Sequence, residues 1–390
     1  MIKTAVVAIA FALLGSAAHA GSLAPQEAQA VFRHSQEAIS RGDLDTALSD
    51  LRRLAAEAPT PRVRLELARL LLAKGDNGES YRLFKEVYDD PATPVAVKMN
   101  ISPMMEKAEL MVFRLRYGAR ITTDSNPSKV SDGGTIYFNG VPMQYQAPAA
   151  KKTAYGVEPY VSAEKMWKDG TLAQAFASTR LFEDSDLTSG SLRVAIGKPV
   201  PGISNAMATV AVDTRFARNG SYMLPSVDMW KRFHPAEGVD LGVGGQVGYL
   251  KSTNDGVSGW YSRPYAFVRT PFLMGTSAFA NVSLEHLDSR NDYYTYYSPK
   301  LEVGLNAKVG GFDLTPKVEF SKSFYPQYDA FWNVKREDTE IRPSLTVSYD
   351  KLVYNGYTPE LTVSYEKHDS NIFINEYDQF GAFVNLKKLF

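Results

Sequence analysis

Histidine, serine and carboxylate side chains are the groups in this chain that could shuttle protons, attack a carbonyl or hold a metal, and their spacing favours none of these. After the first twenty residues only His34, His234, His286 and His368 remain, and no two stand at metal-ligand spacing. A general base must also sit within hydrogen-bond reach of a serine or an activated water, inside a site. His286, in SLEHLDS, shares strand parity with the apolar Val282 and Leu284, His34 falls on a helix, and His234 and His368 fall near turns. Glu183, Asp184 and Asp186 form an acidic cluster that lacks the glycine and terminal Glu of an EF-type calcium loop, so it reads as a solvated loop. There is no phosphate-binding glycine loop. The chain has no cysteine, which removes disulfides, thiolate metal sites and a lipid-bearing cysteine. With 43 basic and 43 acidic residues the charge gives no general reason to expect nucleic acid. No cofactor, metal or enzymatic activity is expected.

A repeated triplet is more telling. Asp124-Ser125-Asn126 returns as Asp369-Ser370-Asn371. These residue types end strands by bonding their side chains to nearby backbone, and that is the plainest reading of both triplets. The other is a gate at a rim. Which applies depends on the elements that carry them.

Those elements change period near MVFRLRYGARITTDSNP, residues 111–127. From Phe113 onward apolar residues alternate: Phe113, Leu115 and Tyr117 against Arg114, Arg116 and Gly118, and Leu361, Val363 and Tyr365 against Glu360, Thr362, Ser364 and Glu366. A soluble sandwich also alternates. Segments of membrane-spanning length recur to the end of the chain, however, aromatic residues such as Tyr293, Tyr294, Tyr296 and Tyr297 cluster near strand ends, and the chain stops on Phe390, sharing parity with Val384 and Leu386. We expect about fourteen antiparallel strands, an even number as in bacterial single-chain barrels. They are placed at 112–124, 153–166, 171–183, 188–200, 204–218, 222–235, 238–251, 257–270, 274–289, 293–309, 312–325, 336–350, 356–368 and 378–390. The segments 125–152, 184–187 and 326–335 read as polar or longer connections. In such a barrel strands one and thirteen both adjoin strand fourteen, so the two triplets flank the closing strand. Pro159, Pro225, Pro264, Pro316, Pro343 and Pro359 fall inside strands, where each removes a ladder hydrogen bond. Either boundaries are misplaced or the wall contains weak pairings.

Before the change of period the pattern is helical, and Gly42-Asp43 is echoed 33 residues later by Gly75-Asp76. The same offset relates Leu48 to Tyr81 and Leu51 to Phe84, candidates for repeat packing or for a partner-facing groove. Helix pairs at this period resemble tetratricopeptide (TPR) repeats. The first twenty residues, with Lys3, an apolar run and a closing Ala18-His19-Ala20, read as a secretory signal. The expected organisation is a signal at 1–20, a TPR-like periplasmic helical domain at 21–111 and a transmembrane β-barrel at 112–390.

With RYGARITTDSN opening the barrel and YTPELTVSYEKHDSNIFINEYDQFGAFVNLKKLF closing it, nearly the whole mature chain resembles the Slam family, the surface lipoprotein assembly modulators of the type XI secretion pathway. The resemblance implies an outer-membrane translocon that moves a specific lipoprotein, or a soluble haem- or metal-acquisition protein, to the cell surface. It implies that cargo protein and outer-membrane lipid as partners, with periplasmic chaperones and barrel-assembly machinery as possible helpers, and no catalytic residues. The helical part is short for that family. A porin-like solute channel, a TPR-barrel exporter of exopolysaccharide, and a barrel that only anchors a periplasmic scaffold stay open as alternatives.

Overall fold

The computed structural model describes residues 23–388 apart from 139–140, 147–151, 219, 237, 274–275, 350 and 354–356. The signal reading at 1–20 and the terminal Phe390 lie outside the described residues. The chain divides into two compact units between Val112 and Phe113.

The first unit holds five helices: α1 (Pro25–Ser40), α2 (Leu44–Glu57), α3 (Pro61–Lys74), α4 (Asn77–Asp89) and α5 (Val95–Val112). Gly42 and Gly75 have left-handed φ angles of 79° and 85°, which a residue without Cβ adopts at no steric cost. The aspartate after each caps the next helix: Asp43 accepts from the Thr46 N–H at 3.2 Å, Asp76 from the Glu79 N–H at 3.4 Å. Bonds from Thr46 hold the Asp43 carboxyl below its ordinary pKa. The 33-residue echo is therefore two copies of one turn. Ala47 and Ser80 are fully buried behind these turns, as are Leu51 and Phe84, while Leu48 and Tyr81 are partly buried against the same core.

The second unit is a closed barrel of fourteen antiparallel strands. In chain order they are β1 (Arg114–Asp124), β4 (Ala154–Met166), β5 (Leu172–Phe182), β6 (Ser189–Pro199), β7 (Ala206–Ala217), β8 (Tyr222–Phe233) and β9 (Asp240–Ser252). They continue with β10 (Gly259–Pro271), β11 (Ser277–Ser289), β12 (Tyr296–Val309), β13 (Phe312–Asp329), β14 (Val334–Tyr349), β15 (Tyr357–Ser370) and β16 (Tyr377–Lys388). Two short strands, β2 (Gly134–Phe138) and β3 (Val141–Tyr145), form a separate hairpin inside the β1–β4 connection. Sequence reading treats 125–152 as loop and misses this hairpin. It also ends strand eleven too early, since β13 runs on to Asp329 and the 326–335 connection shrinks to a turn. Tyr293 and Tyr294 belong to a 3-10 turn rather than to a strand.

One parity of each strand is apolar and exposed. On β1 it is Leu115, Tyr117 and Ile121, on β7 Val210 and Val212, on β15 Leu361 and Tyr365. These side chains face outward, and the other parity lines the lumen with Arg, Glu, Ser and Thr, as a membrane barrel requires. Among the described residues no helix is long and apolar enough to cross a membrane; the chain crosses with strands.

The prolines do sit inside strands, and they share the outward parity. Pro159 lies between the exposed Val157 and Val161, and Pro343 between Ile341 and Leu345. Each keeps its register with one neighbour, as in Ala119 with Pro159 and Val318 with Pro343. The ladder on the other side skips: β4–β5 passes from Val157/Leu181 to Tyr160/Ser178, and β14–β15 from Ile341/Lys367 to Ser344/Ser364. Pro225, Pro264 and Pro316 do the same to β8–β9, β10–β11 and β12–β13. Pro359 leaves its β15–β16 ladder continuous. The weak pairings are thus scattered singly around the wall.

Candidate functional site

The weakest closure lies elsewhere. β1 pairs with β4 through eleven register pairs, and β15 with β16 through twelve. Between β1 and β16, where the first and last strands close the barrel, the described ladder has four: Ile121/Val384, Thr122/Phe383, Thr123/Ala382 and Asp124/Gly381. Among the described residues β1 makes no ladder with β16 from Arg114 to Arg120, and side chains bridge that stretch instead.

Tyr160, on β4, lies across β1 and its hydroxyl donates to Asn385 Oδ1 on β16 at 3.4 Å. It can do so because β1 carries Gly118 beneath it; a Cβ there would stand 2.8 Å from the tyrosine hydroxyl. The Arg120 guanidinium sits 5.0 Å from the Tyr160 ring and 5.8 Å from the Phe383 ring, a cation–π bridge from β1 to both neighbours.

Above the short ladder the first triplet closes the seam. The Ser125 N–H donates to the Phe380 carbonyl at 2.9 Å, and the Phe380 N–H returns a bond to Ser125 Oγ at 2.8 Å. Asn126 is 1% exposed and every polar atom of its amide is used. Its Nδ2 donates to the carbonyls of Asp378 at 3.0 Å and Val130 at 2.9 Å, and its Oδ1 accepts from the Val130 N–H at 3.1 Å. Asp124 Oδ1 accepts from the Asn126 N–H at 2.9 Å, which sets the turn.

Three residues on, Lys129 takes a left-handed φ of 51° and sends its ammonium into the lumen. It donates to Glu366 Oε1 at 2.9 Å and to the Tyr377 hydroxyl at 3.0 Å. Glu366 is buried and also accepts from Tyr377 at 2.7 Å, Gln379 at 3.0 Å and Arg342 at 2.9 Å. Arg342 reaches on to Glu340 at 2.8 Å and Glu319 at 3.3 Å. The connection after β1 is thereby tied to the lumen face of β13–β16.

The second triplet grips a different neighbour. β15 does adjoin β16, but the Asn371 Nδ2 donates to the Lys335 carbonyl at 2.7 Å and its Oδ1 accepts from the Glu337 N–H at 2.9 Å, both on β14. Ser370 Oγ accepts from the Ile372 N–H at 3.1 Å, and Asp369 pairs with Lys367 at 2.9 Å. This triplet fastens a hairpin-to-hairpin junction within the wall. Leu51 and Phe84, with no exposed surface, are packing residues of the helical unit.

Of the histidines, His34 bonds Asp50 at 2.6 Å on the helical surface, His234 stands 3.8 Å from Asp240, and His286 stacks on Tyr297 at 4.1 Å on the outward face. His368 lies two residues before the end of β15, stacked on Tyr377 at 4.7 Å, with Asp338 and Glu340 at 3.5 and 3.6 Å. Lys129 and Tyr160 escaped sequence reading. Lys129 carries no local signal, whereas Arg342 and Glu366 were legible as inward-parity charges.

The wall that receives this latch, from the end of β9 through β16, is the segment that can be placed among known proteins. Residues 251–390 match the surface lipoprotein assembly modifier family. The match agrees with the resemblance read from the sequence. No curated protein matches the chain. Solved structures similar to it include the outer membrane channel DcaP of Acinetobacter baumannii (10% identity, covering 70% of this chain and 96% of that one, TM-score 0.43). Others are outer-membrane-expressed OmpT of Vibrio cholerae (11%, 70% and 97%, 0.36) and a bacterial polysaccharide outer membrane secretin (10%, 70% and 98%, 0.37). With its outward apolar parity, its closed wall and its family match, the protein is an outer-membrane β-barrel of a transport or assembly class.

Proposed function

We propose that the protein is an outer-membrane translocon that carries a specific partner protein, a surface lipoprotein or a soluble protein of haem or metal acquisition, to the cell face. The observation that carries this reading is the family match over 251–390, the part of the wall that includes the closing strand. The β1–β16 seam is where such a wall opens at least cost: four described ladder pairs, a buried asparagine clamp and a lysine strap stand in place of the longer ladders found between the other strands. In this reading Asp124, Ser125, Asn126 and Lys129 form the latch. Asp369, Ser370 and Asn371 keep the neighbouring hairpins fixed while the seam moves. The helical unit, with TPR-like pairs, lies in the periplasm and meets the cargo, handed on by chaperones, before it reaches the barrel.

The test is a comparison of surface-displayed and released proteins in cells with and without the gene. Loss of one or a few proteins from the surface, with their periplasmic forms accumulating, is the expected result. An unchanged surface proteome with a broad change in solute uptake overturns it in favour of a channel.

A further inference from the structure

The lumen is unevenly filled. Toward β8–β12, Leu224, Tyr261 and Leu287 are buried in a small apolar cluster with Tyr222, Leu250 and Tyr296. Beside the seam lies an open cavity of about 700 Å³, walled by β1, β5–β7 and β13–β16. That volume suits a small molecule of metabolite size.

A row of charges runs round the β1–β7 side of this cavity at nearly one level. Arg120 on β1 is in register with Glu158 on β4, and Glu158 accepts from Arg180 Nε on β5 at 3.1 Å. Arg180 is in register with Ser189 on β6, and Ser191, on the same inward parity, with Arg215 on β7. Three guanidinium groups, those of Arg120, Arg180 and Arg215, thus face two carboxylates on this side, Glu158 and, at the end of β1, Asp124. Glu158 is divided between Arg120, at 3.4 Å, and Arg180, and Arg215 meets no acid among the described residues. Across the cavity Glu319 and Glu366 are already held by Arg342, Lys317 and Lys129. Glu360 also lines the cavity, on β15 across from these arginines, so the excess positive charge lies on the β5–β7 wall, where Arg180, Ser189 and Arg215 also line an adjoining cavity of about 460 Å³.

Guanidinium groups bind carboxylate and phosphate oxygens in forked geometry, and inside a low-dielectric wall their field is less screened than in water. We propose that the seam-side lumen binds a small multivalent anion, a polycarboxylate or a phosphorylated solute, gripped by Arg180 and Arg215 with Ser189 and Ser191 as hydroxyl donors. This site is separate from the export reading, because its readout contains no exported protein.

The test uses the full-length protein purified in detergent and equilibrium dialysis at low salt, with labelled citrate in one arm and inorganic pyrophosphate in the other. Saturable binding at one site is expected in at least one arm, weakened about tenfold by Arg215→Gln and by Arg180→Gln, the size of one lost charge-assisted hydrogen bond. Arg218→Gln, whose guanidinium is already paired with Asp186, has a smaller effect. Citrate binding alone assigns a polycarboxylate, and pyrophosphate binding alone a phosphorylated ligand. Absence of saturable binding in both arms overturns the proposal. So does wild-type affinity in both variants when their heat-dependent gel mobility shows an intact barrel.

Discussion

The Asn126 amide donates to the carbonyl of Asp378 at 3.0 Å, joining residues 252 positions apart across the seam where the barrel closes. The same nitrogen serves Val130, so one buried side chain holds both its own turn and the last strand. Asn126→Asp removes both donors and sets a carboxylate against two carbonyls; Asn126→Ala leaves those carbonyls unpaired. Each is expected to lower barrel stability by about 1–3 kcal/mol, the cost of unsatisfied buried polar groups. The temperature at which the folded band converts to the unfolded band on a gel should fall in both, and further in Asn126→Asp.

The seam can be locked without disturbing any native thiol, since the chain has no cysteine. Thr123 and Ala382 are register partners across β1 and β16. A Thr123→Cys/Ala382→Cys pair is expected to form a disulfide in the oxidising envelope and to insert at normal abundance. If cargo passes through an opening seam, export stops in this variant and resumes with reductant. Undiminished export in the cross-linked form moves the route away from the seam.

Much of this was legible beforehand because alternation has a simple physical cause. The lipid-facing parity must be apolar, so strands such as the one holding Leu361, Val363 and Tyr365 declare their length and facing at once. All fourteen strands lie within a few residues of where alternation places them, even through the prolines, because a proline on the outward parity spoils one ladder and leaves the other intact. The 33-residue echo likewise marked two real turns, since αL glycine followed by a capping aspartate is a local signal. What was illegible is long-range. Nothing near Lys129 says that it meets Glu366, 237 residues away, and nothing near Gly118 says that Tyr160 lies over it. The β2–β3 hairpin did carry a local signal, Asn139-Gly140 between the β-prone TIYF and VPMQY, and is missed when 125–152 is read as one long connection. The two triplets are identical in sequence yet bind β16 and β14 respectively, a difference set by the neighbouring strand ends.

Gly118 offers a direct check of the side-chain bridge. Valine there places Cβ against the Tyr160 ring and pushes it off Asn385, while Tyr160→Phe removes only the hydroxyl bond. Gly118→Val is expected to destabilise the barrel by roughly 1–3 kcal/mol through overpacking, and Tyr160→Phe by less than about 1.5 kcal/mol. Heat-dependent mobility measures both. Equal effects would mean that the ring contributes little beyond its hydroxyl.

Lys129 straps the connection after β1 to the lumen wall through Glu366 and Tyr377. Lys129→Met keeps the length of the side chain and removes its charge. Glu366 retains Arg342, so the wall is expected to stay folded. The strap is expected to loosen, giving faster cleavage between residues 127 and 153 when intact cells are treated with protease. Unchanged cleavage would show that Asn126 holds the connection alone.

The two units make separable demands, and the last prediction follows from their cores. The helical unit buries its own set of residues, centred on Leu51, Leu54, Leu71 and Phe84. The barrel closes through ladders that run from β1 to β16 and include no residue before Arg114. Removing residues 22–108 while keeping the first twenty-one deletes every helix but the end of α5 and no ladder hydrogen bond. The truncated protein is therefore expected to insert and to show the heat-dependent mobility of a closed barrel. Its export should nonetheless fall severely if, as proposed, the paired helices at a TPR-like spacing supply the groove-forming surface that meets the cargo. Measuring membrane abundance and surface cargo in the same cells separates the outcomes. Normal insertion with lost export assigns recognition to the helices, and normal insertion with full export assigns it to the barrel. Leu51→Ala, which hollows the helical core at a cost of about 2–5 kcal/mol, should reproduce the export loss without touching the wall.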